Sequence, residues 1–207
     1  MKTKDKIIAV SIELFNRSGV VAITTNHIAK EMDISPGNLY FHFANKEEII
    51  RQIFRQMQKE TYQLWLSKKN GKLLPPLEVI EMNFELFWKY RFFHREMYYL
   101  RRKDPLLSKM WKVHINKVLK LMTVIYKRWI KAGWMRPIQS QDEIHFLVNI
   151  LLATASTFLQ FFESADRIPP RKHVENGKKY VARFLEHYTT GEMKDKFAHY
   201  IQSEPLG

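Results

Sequence analysis

The chain has 207 residues, no cysteine, 45% hydrophobic and 14% aromatic residues, and a formal net charge of +13. That apolar content excludes a disordered chain, and the length suits one sizeable core or a small domain joined to a larger one. Without cysteine, disulfides and thiolate metal sites are excluded; no apolar signal-type run follows Lys2, Lys4, Asp5 and Lys6, so a cytoplasmic protein is expected.

In chain order, Lys4 to Arg17 reads as an amphipathic helix that buries Ile8, Ile12 and Phe15 and stops at Gly19. Its leading Lys2, Lys4 and Lys6 either reach phosphates or are simply solvated. Thr24 to Ile50, TTNHIAKEMDISPGNLYFHFANKEEII, then reads as two short helices, a tight turn and the start of a third helix, which is a helix-turn-helix. Thr24 caps the first helix by offering its hydroxyl oxygen to a free backbone N–H, and Ile28 with Ala29 forms its inner face. The turn falls at Asp33-Ile34. Ser35 caps the second helix, Pro36 occupies its first position where a missing N–H costs nothing, and Leu39 and Phe43 lie four apart on one face. Asn38, Tyr40, Phe41 and His42 are left facing solvent or a ligand such as the DNA major groove.

These residues resemble the tetracycline-repressor (TetR) family of transcription regulators. The likeness runs from about Ile7 to Ile50 and takes in Ile7-Ile8-Ala9, Leu14-Phe15, Gly19, Ile28-Ala29, and Ile34 through Phe43 into Asn45-Lys46. Asp33 departs from the pattern, standing where the family usually has glycine in a left-handed conformation. Asp is among the few residues that visit that region at modest cost, so the turn is expected to survive. The resemblance implies an all-α fold: a three-helix helix-turn-helix DNA-binding domain over residues 1–46, then a larger helical effector-binding and dimerisation domain over residues 47–207. It also places Ser35, Pro36, Gly37 and Phe41 near DNA and Lys46 on a phosphate. From the helix geometry, Asn38 is expected to hydrogen-bond a base edge, Tyr40 and His42 to reach phosphate or base, and Thr25 and Asn26 to hold the backbone. His42 can equally be a helix-end residue with no base contact.

Lys46 to about Leu66 continues as a connector helix carrying Ile49, Ile50, Ile53, Phe54 and Met57. Ser67 to Pro76 is the clearest break, with a turn at Asn70-Gly71 and a stop at Pro75-Pro76. A helix from about Leu77 to Tyr90 follows. The aromatics between Phe84 and Tyr99 are either plain core or the lining of an apolar pocket. Asp104-Pro105 opens a helix to about Ala132 and Gly133, with Leu107, Trp111, Val118, Ile125 and Trp129 inward and a basic face outward. Between Arg101 and Arg136 there are eleven Lys/Arg and one acid, whereas residues 1–46 carry a net charge of only +2. That basic stripe is either a solvated face or an attractor of DNA flanks or an anionic effector.

Ser140 caps the next helix, which holds the uncharged run Ile144 to Phe162. Asn149, Thr154, Ser156, Thr157 and Gln160 are spread through it, so a membrane span is rejected in favour of a helix buried on two sides, by its own domain and by a partner subunit. A last main helix runs from about Arg171 to Thr190 and closes at Gly191. The tail from Glu192 adds a short helix with Phe197, Tyr200 and Ile201 before a frayed Pro205-Leu206-Gly207. In the family the last two main helices typically make half of a four-helix bundle across a two-fold axis. The expected dimer residues are Leu151, Phe158, Val174, Gly177, Val181, Phe184 and Tyr188, and the expected pocket residues are Phe84, Phe87, Trp88, Trp111, Tyr126 and Phe158.

An enzyme is not expected: there is no G-x-G or phosphate loop, no G-x-S-x-G, and no two histidines stand three or four residues apart. Metal and cofactor chemistry have no support either. The expected partners are double-stranded DNA, a second copy of the chain and a small-molecule effector, with no membrane. The reading is a sequence-specific regulator, a homodimeric repressor released from an inverted-repeat operator by an apolar or amphipathic ligand. Its rivals are a non-specific basic DNA binder held by counterion release and a regulator acting through protein contacts.

Overall fold

The structure is a computed structural model that describes residues 2–66, 68–69, 72–163 and 170–203. Its helices are α1 (Thr3–Ser18), α2 (Thr25–Glu31), α3 (Pro36–His42), α4 (Lys46–Leu66), α5 (Pro76–Lys89), α6 (Arg91–Lys103), α7 (Pro105–Lys131), α8 (Gln141–Glu163), α9 (Pro170–Glu186) and α10 (Gly191–Gln202). The all-α reading holds, with one addition: the two-residue strands β1 (Lys68–Lys69) and β2 (Lys72–Leu73) pair antiparallel. The expected turn at Asn70-Gly71, Pro169 and the Pro205-Leu206-Gly207 tail lie outside the described residues. Among the described residues no helix is long and apolar enough to cross a membrane.

Packing divides the chain into two compact units, Met1–Glu60 with Lys89–Lys112, and Thr61–Trp88 with Val113–Gly207. The first unit takes in more chain than residues 1–46, because α6 returns to pack against α1. In the sequence α6 merges into a run of aromatics, yet Phe92, Phe93, Met97 and Leu100 are its buried face. The crowd of aromatics is therefore divided. Phe84 belongs to the second unit, while Tyr90, Phe92 and Phe93 are buried in the first. Phe93 stacks on Phe92 at 4.3 Å and meets Phe54 of α4 edge-on at 5.5 Å.

Polar side chains lock α6 onto α1. Asn16 Nδ2 donates to the Lys89 carbonyl at 2.8 Å, and its Oδ1 accepts from the Phe92 N–H at 3.1 Å. Arg95 donates to the Asn16 carbonyl at 2.7 Å, a cation on carbonyls that the end of a helix leaves unpaired. Glu96 accepts from the Val20 N–H at 2.9 Å. At the other end of α6, Asp104 pairs with Arg51 of α4 at 2.6 Å and caps α7 by accepting from the Leu106 and Leu107 N–H groups.

In the second unit α9 packs against both α8 and α10, with Leu147, Val174, Ala182 and Phe197 all fully buried. The last main helix ends at Glu186, not at Thr190. Residues 187–190 form a turn pinned to the α7–α8 connection by the Arg136 N–H on the Tyr188 carbonyl at 2.7 Å and the Thr190 N–H on the Trp134 carbonyl at 3.1 Å. Gly191 is thus the first residue of α10 rather than a stop. Buried Lys178 is held by Glu81, Glu85 and Glu175 at 2.7–3.1 Å. Burial alone would lower its pKa, but the three carboxylates outweigh that and raise it.

Gly177 sits at the tightest point of this core. A Cβ there would meet the Phe84 ring at 2.4 Å and the Phe158 ring at 2.8 Å, and both rings are buried. Gly177→Ala gains helix propensity of about 1 kcal/mol but overpacks, so a net loss of about 1–3 kcal/mol is expected in denaturant unfolding. Restoring room with Phe84→Leu should recover part of it; an unchanged midpoint for Gly177→Ala would mean that the rings move freely.

Candidate nucleic-acid interface

The residues expected to face DNA are positioned by local chemistry written into the sequence. Thr24 is the N-cap of α2: its Oγ1 accepts from the His27 N–H at 3.3 Å, while the Thr24 N–H donates to His27 Nδ1 at 3.3 Å, a reciprocal capping box. Ser35 caps α3 through the Asn38 N–H at 3.2 Å, with Pro36 at the first helical position. Between the helices Asp33 has φ +53°, the left-handed turn expected of it. The Ile34 N–H on the Ala29 carbonyl at 3.0 Å closes the end of α2. Ile28, Ala29, Leu39 and Phe43 are buried, so the opposite faces of both helices are turned outward.

Of the ten expected DNA-binding residues none is buried, and Lys46 is half-buried at the start of α4. Asn26, Ser35, Pro36, Gly37 and Asn38 are exposed, Tyr40 is 49% and Phe41 85% exposed, and Thr25 and His42 are half-buried. The Tyr40 hydroxyl lies 3.0 Å from Thr25 Oγ1, which ties α3 to the start of α2 and fixes where the phenol points. His42 packs its ring edge-on against Phe41 at 5.2 Å.

Lys46 has a structural role that the sequence did not disclose. Its Nζ donates to the Val20 and Ile23 carbonyls, both at 2.8 Å, stapling the α1–α2 connection to the start of α4. An ammonium has three N–H groups, so these two bonds do not exhaust its donors. Asn45 caps α4 through the Glu48 N–H at 2.9 Å, and Glu48 accepts from the Ala44 N–H at 2.7 Å. The N-terminus of α4 is thereby fixed beside α3.

Five of the six expected pocket residues belong to one apolar region: Phe84 and Tyr126 are buried in its cluster, Phe87 and Trp88 pack against that cluster, and buried Phe158 meets Phe84. Phe84 meets Phe87 at 5.6 Å and Phe158 at 6.4 Å; Trp88 is half-buried with the Arg171 guanidinium 5.9 Å from its ring. Tyr126 meets Trp129 edge-on at 6.3 Å. Trp111 falls in the other compact unit, against Phe54 at 5.9 Å and under Arg101 at 5.6 Å. Of the seven expected dimer residues, Leu151, Phe158, Val174, Gly177 and Val181 are buried within their own unit. Phe184 and Tyr188, with rings 5.9 Å apart, are half-buried.

Comparison with known proteins bears directly on this motif. Residues 7–53 match the family described as bacterial regulatory proteins, tetR family, and residues 76–197 match a second family description, TetR, bacterial transcriptional repressor. Over 65 residues the chain is 40% identical to the HTH-type transcriptional regulator QacR of Staphylococcus aureus, covering 31% of this chain and 35% of that protein. Over 49 residues it is 45% identical to IcaR, the negative transcriptional regulator of the biofilm operon icaADBC in Staphylococcus epidermidis, covering 24% and 26%. The chain thus spans about a third or less of these two relatives. A TetR-family transcriptional regulator from Marinobacter aquaeolei VT8 matches over 99% of this chain and 100% of its own, at 33% identity and a TM-score of 0.85. A transcriptional regulator from Aquifex aeolicus VF5 shares the fold, with a TM-score of 0.64 at 20% identity over 88% of this chain and 99% of its own. All four are transcriptional regulators. With the helix-turn-helix built as described and both parts of the chain matched, this chain belongs to the TetR family of bacterial transcriptional regulators.

Proposed function

We propose that the chain is a homodimeric repressor that binds an inverted-repeat operator and is released from it by a small apolar or amphipathic ligand. The observation that carries the DNA half is the outward face of the capped α2–turn–α3 pair, where Asn38, Tyr40 and Phe41 stand exposed on a helix whose other side is locked by Leu39 and Phe43. Asn38 offers an amide for a base edge, Phe41 an apolar surface and Tyr40 a phenol for a base edge or phosphate, while Thr25, Asn26 and Lys46 reach for the backbone. One such helix reads only a few base pairs, each correct contact contributing about 1–3 kcal/mol, so two copies are needed to discriminate within a genome. Two-fold pairing then requires half-sites spaced by roughly one helical turn or more.

The second copy finds its surface on the sides of α8 and α9 that the core does not use. Phe146 is 58%, Ile150 37% and Tyr180 43% exposed, with half-buried Phe184 alongside. Effector binding is supported by polar atoms inside the same unit that have no hydrogen-bond partner among the described residues: the Trp65 indole N–H and the Tyr126 hydroxyl. Buried donors without partners are costly, and a ligand carrying a hydrogen-bond acceptor beside an apolar body would satisfy them. That ligand acts by binding one conformation better than the other. Footprinting on the DNA upstream of the chain's own coding sequence, with the protomer count of the complex measured by sedimentation, tests this reading. A two-fold-symmetric footprint holding an even number of protomers is expected; protection by a single protomer would contradict it.

The second unit also contains a titrating core group. His114 is buried with Nδ1 3.0 Å from the Tyr62 hydroxyl, and the Lys117 ammonium lies over the Tyr62 ring at 3.9 Å. Burial, with a smaller push from Lys117, lowers the His114 pKa to about 4. A folded-state pKa below the ordinary value of about 6.5 means that the unfolded chain binds the proton first as pH falls. The stabilisation from neutral His114 is therefore complete above about pH 6.5 and is lost progressively down to about pH 4. His114→Gln should remove close to one proton of uptake on unfolding across that window; an unchanged pH dependence of the unfolding midpoint would contradict the assignment.

A further inference from the structure

The end of α6 and the start of α7 form a surface that the helix-turn-helix does not use. Residues 97–112, MYYLRRKDPLLSKMWK, hold five Lys/Arg and one acid. That acid, Asp104, is buried, paired with Arg51 and capping α7, so it neutralises nothing outside. Glu96, the next acid back along α6, is committed to the Val20 N–H. Arg102, Lys103, Lys109 and Lys112 are exposed, as are Tyr98 at 68% and Tyr99 at 41%. The aromatics hold two of these cations in place: the Arg102 guanidinium lies 5.8 Å from the Tyr98 ring and donates to its hydroxyl at 3.2 Å, and the Lys103 ammonium lies 5.9 Å from the Tyr99 ring.

This surface belongs to the same compact unit as α2 and α3. The Arg51–Asp104 pair joins it to the second turn of α4, five residues or about 7.5 Å along the axis from Lys46. Duplex DNA carries one phosphate charge per about 1.7 Å of its axis, and Arg, Lys and Tyr are the side chains that contact it without reading sequence. An acid-free cluster of cations with phenolic donors is complementary to such a backbone.

We propose that Tyr98, Arg102, Lys103, Lys109 and Lys112 form a second contact with duplex DNA, on the sugar–phosphate backbone outside the base pairs read by α3. The contact rests on the DNA-binding reading above. It adds affinity and salt dependence without adding sequence preference. Each protomer then grips the operator at its bases through α3 and the flank through the α6–α7 turn.

The test uses the full-length protein and two duplexes cut from its footprint on its own upstream DNA, one trimmed to the protected bases and one extended by about one helical turn, 10 base pairs, on each side. The parent is compared with the quadruple variant Arg102→Gln, Lys103→Gln, Lys109→Gln and Lys112→Gln, its fold checked by circular dichroism and thermal unfolding. On the extended duplex the variant should bind more weakly, with the slope of log K against log salt shallower by roughly 2–4 per protomer, about 0.9 for each phosphate no longer neutralised. On the trimmed duplex the two proteins should bind nearly alike, and the preference for operator over scrambled DNA should be unchanged. Equal slopes on the extended duplex overturn the second contact. Leu106, 60% exposed beside the cations, is the residue a lipid surface would favour. Vesicles of anionic phospholipid are therefore run in parallel, and variant-sensitive vesicle binding with equal DNA slopes would assign the patch to a membrane surface instead. A parent that binds no duplex specifically would overturn the DNA-binding reading itself, whereas a parent that binds with a slope matching the variant overturns only this contact.

Discussion

Asp104→Ala is expected to lower the unfolding free energy by about 3–5 kcal/mol. Two losses combine at this position. The Arg51 guanidinium, its side chain only 17% exposed, is left without the carboxylate it meets at 2.6 Å. The Leu106 and Leu107 N–H groups lose the oxygen that caps α7, a loss of about 1 kcal/mol in typical helices. Truncating one member of a buried ion pair is costly because the partner charge stays behind, whereas removing both is often tolerated. Asp104→Asn with Arg51→Met, which keeps a capping oxygen and removes both charges, should therefore recover most of the loss. Urea unfolding measures it: a shifted midpoint with unchanged slope is the expected signature. A change within about 0.5 kcal/mol for Asp104→Ala would place this pair among surface ion pairs of little weight.

The second large effect concerns binding rather than stability. Asn38→Ala combined with Tyr40→Ala should cost about 2–6 kcal/mol of operator affinity, at least roughly thirtyfold, since each correct contact contributes about 1–3 kcal/mol. The fold should survive, because Asn38 is exposed, Tyr40 is 49% exposed, and within the protein the double substitution removes an exposed hydrogen bond, that between Thr25 and Tyr40. Binding to scrambled DNA should change far less than binding to the operator. Titration of labelled duplexes at fixed salt checks both numbers; equal losses on operator and scrambled DNA would mean that these side chains only hold the backbone.

The parts of the fold that were legible in the sequence are those set by local chemistry. Thr24, Ser35 and Pro36 announce their helices because capping and proline stereochemistry act within three residues. Asp33 adopts the left-handed turn for the same local reason. What sequence did not disclose are contacts made across 50 to 80 positions. Nothing near Asn16 says that it grips Lys89 and Phe92, or that Arg95 and Glu96 return to the end of α1. A signal for α6 was present: Phe92, Phe93, Met97 and Leu100 have helical spacing, hidden among neighbouring aromatics. The C-terminal pattern is ambiguous in a different way. A stripe such as Val174, Gly177 and Val181 shows that a helix face is buried without showing by what, and here Phe84 and Phe158 of the same chain fill that side of Gly177. Similarly, Trp111 shares a helix with Tyr126 but lies 15 positions earlier, about 22 Å along its axis, and packs on Phe54 instead.

That α3 reads a specific DNA sequence is tested most directly by one comparison. The purified protein is titrated into its own upstream DNA and into scrambled DNA of equal length, at about 0.15 M salt where long-range charge attraction is already strongly screened. Tight binding to the first and at least ~1,000-fold weaker binding to the second are expected. Equally tight binding to both, falling together as salt rises, would contradict sequence reading by α3 and leave a basic protein held to DNA by charge alone.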